Sequence, residues 1–378
     1  MAWHSVLGHE SVLEQFRSLI QQKRLAHAYL FVGPEGIGKR LFAVTLSQTL
    51  LCENPQDDSS TPCQSCPGCR QVAVETHPDF FMVRKPKDKH ELPVELFIGR
   101  REQRGREGLC YQLAIKASRG THKIAIVDDA DYLSHESSNA LLKTLEEPPP
   151  GSLMILIGTH PQLQLATIRS RCSIVYFSPL NRKHIATLLR QHHGVDDPDQ
   201  AALFAALGEG SVEQAIAFTD EHIRSFRNTL LETLPQITYV GEDPEQGLRT
   251  GNKRNHETTL ASLTFTRKTL TFVESAGSES VKQHQRARIL IRFCIQFYRN
   301  TLWNISAGSS QLLMDSDQQN AVSVLSDRLT RSQNTLGATD RLIELIERCL
   351  EAETHLSRRV HIALTIESLI DDLSTAGQ

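Results

Sequence analysis

Three constellations in this 378-residue chain have residue types and spacings suited to chemistry. The first is Gly33-Pro34-Glu35-Gly36-Ile37-Gly38-Lys39-Arg40, which follows an apolar run and opens a helical pattern. Glycines let backbone N–H groups curl around phosphate oxygens, and a helix N-terminus adds a favourable dipole. Lys39 would reach the terminal phosphates as a point charge, and the next residue should be a Ser or Thr whose hydroxyl holds Mg²⁺. Arg40 stands there instead, and a guanidinium has no acceptor for a metal. Binding of ATP or ADP therefore stays open, while Mg²⁺ is disfavoured. A glycine-rich turn without a ligand is the bland alternative.

The second constellation is Ile124-Ala125-Ile126-Val127-Asp128-Asp129, an apolar run ending in two carboxylates. In a nucleoside triphosphatase the first acid holds the Mg²⁺ shell, and the next, normally Glu, polarises the attacking water. Asp129 is one methylene too short for that task. A solvated acidic turn would look the same taken alone. The third is Cys52, Cys63, Cys66 and Cys69, spaced C-x10-C-x2-C-x2-C. Four thiolates suit tetrahedral Zn²⁺, and a site closed by four protein ligands is structural. The alternatives are unliganded thiols and an iron–sulfur cluster, and nothing else in the chain suggests redox chemistry. His77, His90 and His135 are isolated and fit surface or helix-end positions better than ligand positions.

These residues need a scaffold. Five strand patterns are predicted at Ala28–Val32, Phe80–Val83, Lys123–Val127, Met154–Gly158 and Ser173–Phe177. They alternate with helical patterns near 9–24, 40–51, 107–116, 137–145 and 162–170, the signature of an α/β parallel sheet covered by helices. From Asn181 only helical patterns remain, with long amphipathic runs at 281–303, 321–331 and 339–373. The polar stretch 241–280 reads as a linker or long loop. Segment 84–107 is an insert carrying eight basic residues against five acids; it could face DNA, though a mixed run also fits a solvated face.

Composition sets limits on function. A net charge of −3 excludes a uniformly basic nucleic-acid coat, so any DNA contact must come from a local patch or through partners. No stretch approaches eighteen uninterrupted apolar residues, and Met1–Ser5 lacks the pattern of a signal peptide, so a cytoplasmic protein without a membrane span is expected.

In order along the chain, these motifs resemble the clamp-loader AAA+ family of bacterial DNA polymerase III. Arg24–Phe31 leading into Gly33–Lys39 looks like the entry to its ATPase domains, and the cysteines after the P-loop helix are similar to its zinc module. Asn139–Pro149 matches the segment after its acidic strand. Thr159 stands at its sensor-1 position, and Ser170-Arg171-Cys172 matches its SRC motif. The resemblance implies an AAA+ P-loop core over 1–180 with a zinc module at about 52–69, a five-stranded parallel sheet with helices on both faces, an all-α lid over 181–240 and an all-α collar over 281–378. Arg359–Glu367 looks like the last collar helix. Implied partners are gamma/tau and delta subunits in a hetero-oligomeric ring, with the sliding clamp and primer–template DNA reached through the complex.

Departures at Arg40, at Asp129 and at Glu213, where an ATPase would present a sensor-2 arginine, resemble the delta-prime branch rather than the gamma/tau motor. They imply negligible intrinsic ATPase. Arg171 is then expected to serve a neighbouring ATPase site in trans as an arginine finger. The competing readings are an active gamma/tau-like ATPase and a zinc-bearing nucleic-acid-binding protein acting outside a ring.

Overall fold

The computed structural model describes residues 3, 6–55, 60–86, 89, 91–238, 247–277, 280–307, 316–357 and 360–375. The chain divides into two compact units, Met1–Phe218 and Thr219–Gln378. In the first, strands β1 (Ala28–Val32), β2 (Phe80–Val83), β3 (Lys123–Val127), β4 (Ser152–Gly158) and β5 (Ser173–Tyr176) form one parallel sheet in the order β2-β3-β4-β1-β5. Its helices are α1 (Glu10–Gln21), α2 (Lys39–Leu50), α3 (Pro67–Ala73), α4 (Glu95–Ile98), α5 (Leu109–Ala114), α6 (His135–Glu146), α7 (Ala166–Arg169), α8 (Arg182–His192), α9 (Pro198–Leu207) and α10 (Val212–Ala217).

Every residue of β1 is buried, as a central parallel strand covered on both faces requires. Side chains alternate across a strand. Phe31 accordingly joins Phe16, Phe42 and Phe177 in an aromatic layer, with ring centroids 5.7, 5.8 and 5.1 Å away. Ala28, Leu30 and Val32 join the opposite layer with Leu92, Phe97, Leu113, Leu141 and Ile168. Because all strands run the same way, the segments that follow β1, β3 and β4 emerge at one edge of the sheet. That edge receives Gly33–Lys39, Asp128–Asp131 and Thr159.

The second unit is helical: α11 (Glu221–Ile237), α12 (Gly247–Glu274), α13 (Ser280–Ala307), α14 (Ser316–Ser332), α15 (Thr335–Ser357) and α16 (Ile362–Ser374). Phe226 of α11 stacks on Phe272 of α12 with centroids 4.0 Å apart. Tyr298 of α13 is fully buried, and its hydroxyl meets Thr238 Oγ1 at 3.0 Å. No helix among the described residues is long and apolar enough to cross a membrane.

Four expectations need correction. The stretch 241–280 is not a linker: 247–274 is helix α12, while 241–246 lies outside the described residues. The run 339–373 is two helices. Val360 N–H closes onto the His355 carbonyl five residues back, the six-to-one bond of a Schellman-type helix end, and His361 is extended before α16. Finally, the unit boundary at Phe218/Thr219 assigns α11, expected in the segment 181–240, to the second unit. The helix expected over 162–170 is also shorter, reduced to a 3₁₀ turn at Pro161–Leu163 followed by α7.

Candidate functional site

The loop Gly33–Lys39 joins β1 to α2 with Gly36 and Gly38 in the left-handed region, φ +72° and +103°. Gly36 also permits a close approach by α10. A Cβ there would lie 2.4 Å from Ser211 Oγ and 2.5 Å from Glu213 Cβ. Val212 N–H donates to Gly36 O at 3.0 Å, so Glu213 does come to the loop. The Lys39 ammonium is turned back on its own loop, donating to the carbonyls of Gly33 and Pro34 at 2.5 Å each. Burial pulls the Lys39 pKa below its usual value, opposed by the charges of Glu35, Asp131, Asp128 and Glu213.

Asp128, at the end of β3, faces two guanidiniums. Arg40 Nη1 lies 3.4 Å and Arg84 Nε 3.9 Å from the same carboxylate oxygen, Oδ2. Asp129 takes a left-handed conformation, φ +59°, which Asp tolerates better than most side chains. Its N–H donates to Asp128 Oδ1 at 3.2 Å, and burial, then the charge of Asp128, raises its carboxyl pKa. This donor set does not fit Mg²⁺: no hydroxyl follows Lys39, and the acid that would hold the ion already faces cations.

Some contributors escaped the sequence reading. Asp131 Oδ2 accepts from Thr159 N–H at 2.6 Å and from Thr159 Oγ1 at 2.7 Å, so this third acid fixes Thr159. Gly158 makes room, since a Cβ there would sit 2.4 Å from Asp131 Oδ1. His9, just before α1, places Nε2 2.7 Å from Ile37 O. A carbonyl only accepts, so Nε2 carries the proton. Burial lowers the His9 pKa. Asp131 stood in plain view three residues after Asp128, but spacing does not show which way a carboxylate turns. His9 carried no motif.

Arg171 follows α7 and is partly exposed. Its Nη2 lies 2.7 Å from Glu146 Oε1 at the end of α6, and its Nη1 donates to Thr167 O at 2.9 Å. In the isolated chain the guanidinium is thus held by an acid of its own unit.

The four cysteines converge beside α2 and α3, with all Sγ atoms within 4.8 Å of one another. A tetrahedron with Zn–S bonds of about 2.3 Å has sulfurs roughly 3.8 Å apart, so the group needs little contraction to hold such an ion. Backbone donors already surround the sulfurs: Cys63 N–H to Cys52 Sγ, Cys66 N–H to Cys63 Sγ and Cys69 N–H to Cys66 Sγ, each 3.4 Å. The Cys66 N–H holds the Cys63 thiol down at about 6, whereas burial pushes Cys69 up. Gly68 lets the turn close on α2, since a Cβ would lie 2.5 Å from Leu51 O. Gln48 Nε2 donates to Cys69 O at 3.0 Å and Cys69 Sγ to Gln48 O at 3.8 Å, tying the module to the P-loop helix. His77 and His135 are not part of this group, and His90 lies outside the described residues.

Residues 8–181 match the family model described as DNA polymerase III, delta subunit. The chain is 34% identical over 244 residues to DNA polymerase III subunit delta' of Escherichia coli, covering 64% of this chain and 68% of that one. It is 32% identical over 224 residues to subunit tau of the same organism, covering 58% of this chain but only 33% of tau. Delta' of Bacillus subtilis is 32% identical over 174 residues, 46% of this chain and 49% of that one. The chain therefore spans about a third of the tau relative's length and two thirds of the Escherichia coli delta' relative's. The sheet, the altered phosphate loop and the four-cysteine module all lie within 8–181, the stretch that the family model matches, and the chain belongs to the clamp-loader family of bacterial DNA polymerase III.

Proposed function

We propose that this chain is a non-catalytic or weakly catalytic, delta'-like subunit of a clamp loader, working beside gamma/tau and delta subunits to load the sliding clamp on primer–template DNA. The observation that carries this reading is the charge around Asp128. Arg40 and Arg84 approach the carboxylate that a hydrolysing relative would give to Mg²⁺. Lys39 turns its ammonium onto its own loop, and Glu213, read as standing in place of a sensor-2 arginine, brings a negative charge against Gly36 of that loop. Three weakened roles at one pocket oppose hydrolysis together. The test is turnover of ATP by the purified full chain. Negligible turnover is expected, and a rate of about 1 s⁻¹ or above would instead make it an ordinary enzyme. That outcome would favour a gamma/tau-like ATPase, a second reading supported by the 32% identity to tau.

In this reading the four thiolates hold a structural zinc ion. Arg171 serves a neighbour's ATP in trans, which requires the pair with Glu146 to open. α8–α10 act as the lid, and the helical unit from Thr219 supplies the collar through which subunits associate.

A further inference from the structure

Between α4 and α5 lies a ten-residue loop, Gly99-Arg100-Arg101-Glu102-Gln103-Arg104-Gly105-Arg106-Glu107-Gly108. Its stem is built rather than slack. Gly99 and Gly108 adopt φ +83° and +89°, and Gly105 N–H donates to Ile98 O at 2.9 Å. A Cβ on Gly108 would sit 2.6 Å from both the Phe97 carbonyl and Gly99 N, so the two limbs touch backbone to backbone. Phe97 and Leu109, on either side, are 0% and 3% exposed and belong to the core of the sheet unit. The loop is thus a tongue anchored at both ends.

All four arginines of the tongue are exposed, and none makes an ion pair or side-chain hydrogen bond with a described residue. Elsewhere Arg40, Arg84, Arg171, Arg286 and Arg341 each face an acid. Of the two acids in the tongue, Glu107 is already faced by the Gln103 side chain. The result is a local positive surface in a chain whose net charge is −3. The composition also says what the tongue is not. It has no aromatic residue on which a base could stack, as single-strand binding uses. It has no apolar residue to anchor the core of a protein interface. Four guanidiniums without either suit a partner that presents regularly spaced phosphates.

We propose that the Gly99–Gly108 tongue is a sequence-independent contact for the phosphate backbone of duplex DNA. Guanidiniums neutralise phosphates and release condensed counterions, which steepens the salt dependence of binding by about 0.9 per phosphate. The inference draws on the clamp-loader reading only for bringing duplex DNA within reach; the nucleotide pocket plays no part.

The experiment is fluorescence anisotropy with a labelled DNA duplex across a salt series. It uses the full chain alone and the assembly that co-purifies with it. The variant Arg100→Gln/Arg101→Gln/Arg104→Gln/Arg106→Gln alters only exposed side chains, and an unchanged melting temperature shows that it folds. It should bind at least about tenfold more weakly at low salt, with a log–log slope smaller by up to about 3.6. Lysine at the same four positions should keep most of the slope, because a phosphate contact of this kind needs charge more than a fork. Unchanged affinity and slope overturn the proposal, and so does an absence of duplex binding by both wild-type preparations. Loss of a protein partner with DNA binding intact reassigns the tongue to an acidic protein and also overturns it. Tongue-dependent DNA binding by a chain that co-purifies with no polymerase subunit would leave this inference standing and remove the clamp-loader reading instead.

Discussion

Replacing Arg40 by threonine removes one guanidinium from beside Asp128 but leaves Asp129 a methylene short and Glu213 against Gly36. Groups that act as a unit are not additive, so Arg40→Thr alone should leave turnover near background in a steady-state ATPase assay. At the metal module, Cys66→Ser removes one of four thiolates. Metal analysis of the purified proteins should give one zinc per wild-type chain and markedly less in the variant, with a lower melting temperature. The Arg171–Glu146 pair is partly exposed on both sides, so Glu146→Ala should cost at most about 1 kcal/mol. Arg171→Ala and Arg171→Lys should both abolish hydrolysis at the one neighbouring site served, assayed in rings whose other sites are disabled. Lysine lacks the planar fork. Hydrolysis unchanged by Arg171→Ala in an intact ring would end the finger role. His9 supplies a pH dependence. Unfolded, it titrates near its ordinary 6.5; folded, burial lowers that value. Above 6.5 neither state is protonated. As pH falls below it, the unfolded state takes the proton first, so stability is lost until the folded pKa is passed. His9→Gln keeps a donor for Ile37 O and should lose less stability on acidification in urea titrations.

Among the elements, the aromatic layer under β1 gives the largest expected effect. Phe16 is fully buried against Tyr29, Phe31 and Phe42. Phe16→Ala should destabilise the sheet unit by about 3–5 kcal/mol in denaturant titration. The same strands were the most legible part of the sequence: β1, β2 and β3 have the expected limits, because buried parallel strands are short, apolar and bounded by turn residues. The loop, the acids and the cysteines were legible for a related reason, since their chemistry constrains nearby spacing. Helix α12 was not. Its first half is polar and contains Gly247 and Gly251, which local propensity reads as loop; its second half is held by tertiary packing of Phe265 and Phe272 on Phe226. The apolar stripe running through 339–373 hid a helix end that only backbone closure at His355–Val360 reveals. Asp131 with Thr159, Arg84 with Asp128 and Glu146 with Arg171 join residues 25 or more positions apart, and such pairings follow from topology rather than periodicity.

For the whole molecule, the boundary at Phe218/Thr219 decides where the chain can be cut. Removing only 281–378 would strip α11 and α12 of α13, α14 and α16, baring the apolar faces they bury within the second unit. A chain ending at Phe218 should instead remain folded and keep its metal, as circular dichroism and metal analysis would show, while no longer co-purifying with partner subunits. Normal assembly by that truncation would overturn the collar assignment. The same boundary has a calorimetric consequence. Each unit closes its own hydrophobic core, so the intact protein should not melt as a single cooperative body. Its heat-capacity trace should resolve into two components, with a van't Hoff enthalpy below the calorimetric one. A chelator should move only the component owed to the sheet unit, because all four sulfurs of the proposed zinc site lie on that side of Phe218. One scan, with and without chelator, would thus assign each endotherm to its part of the chain.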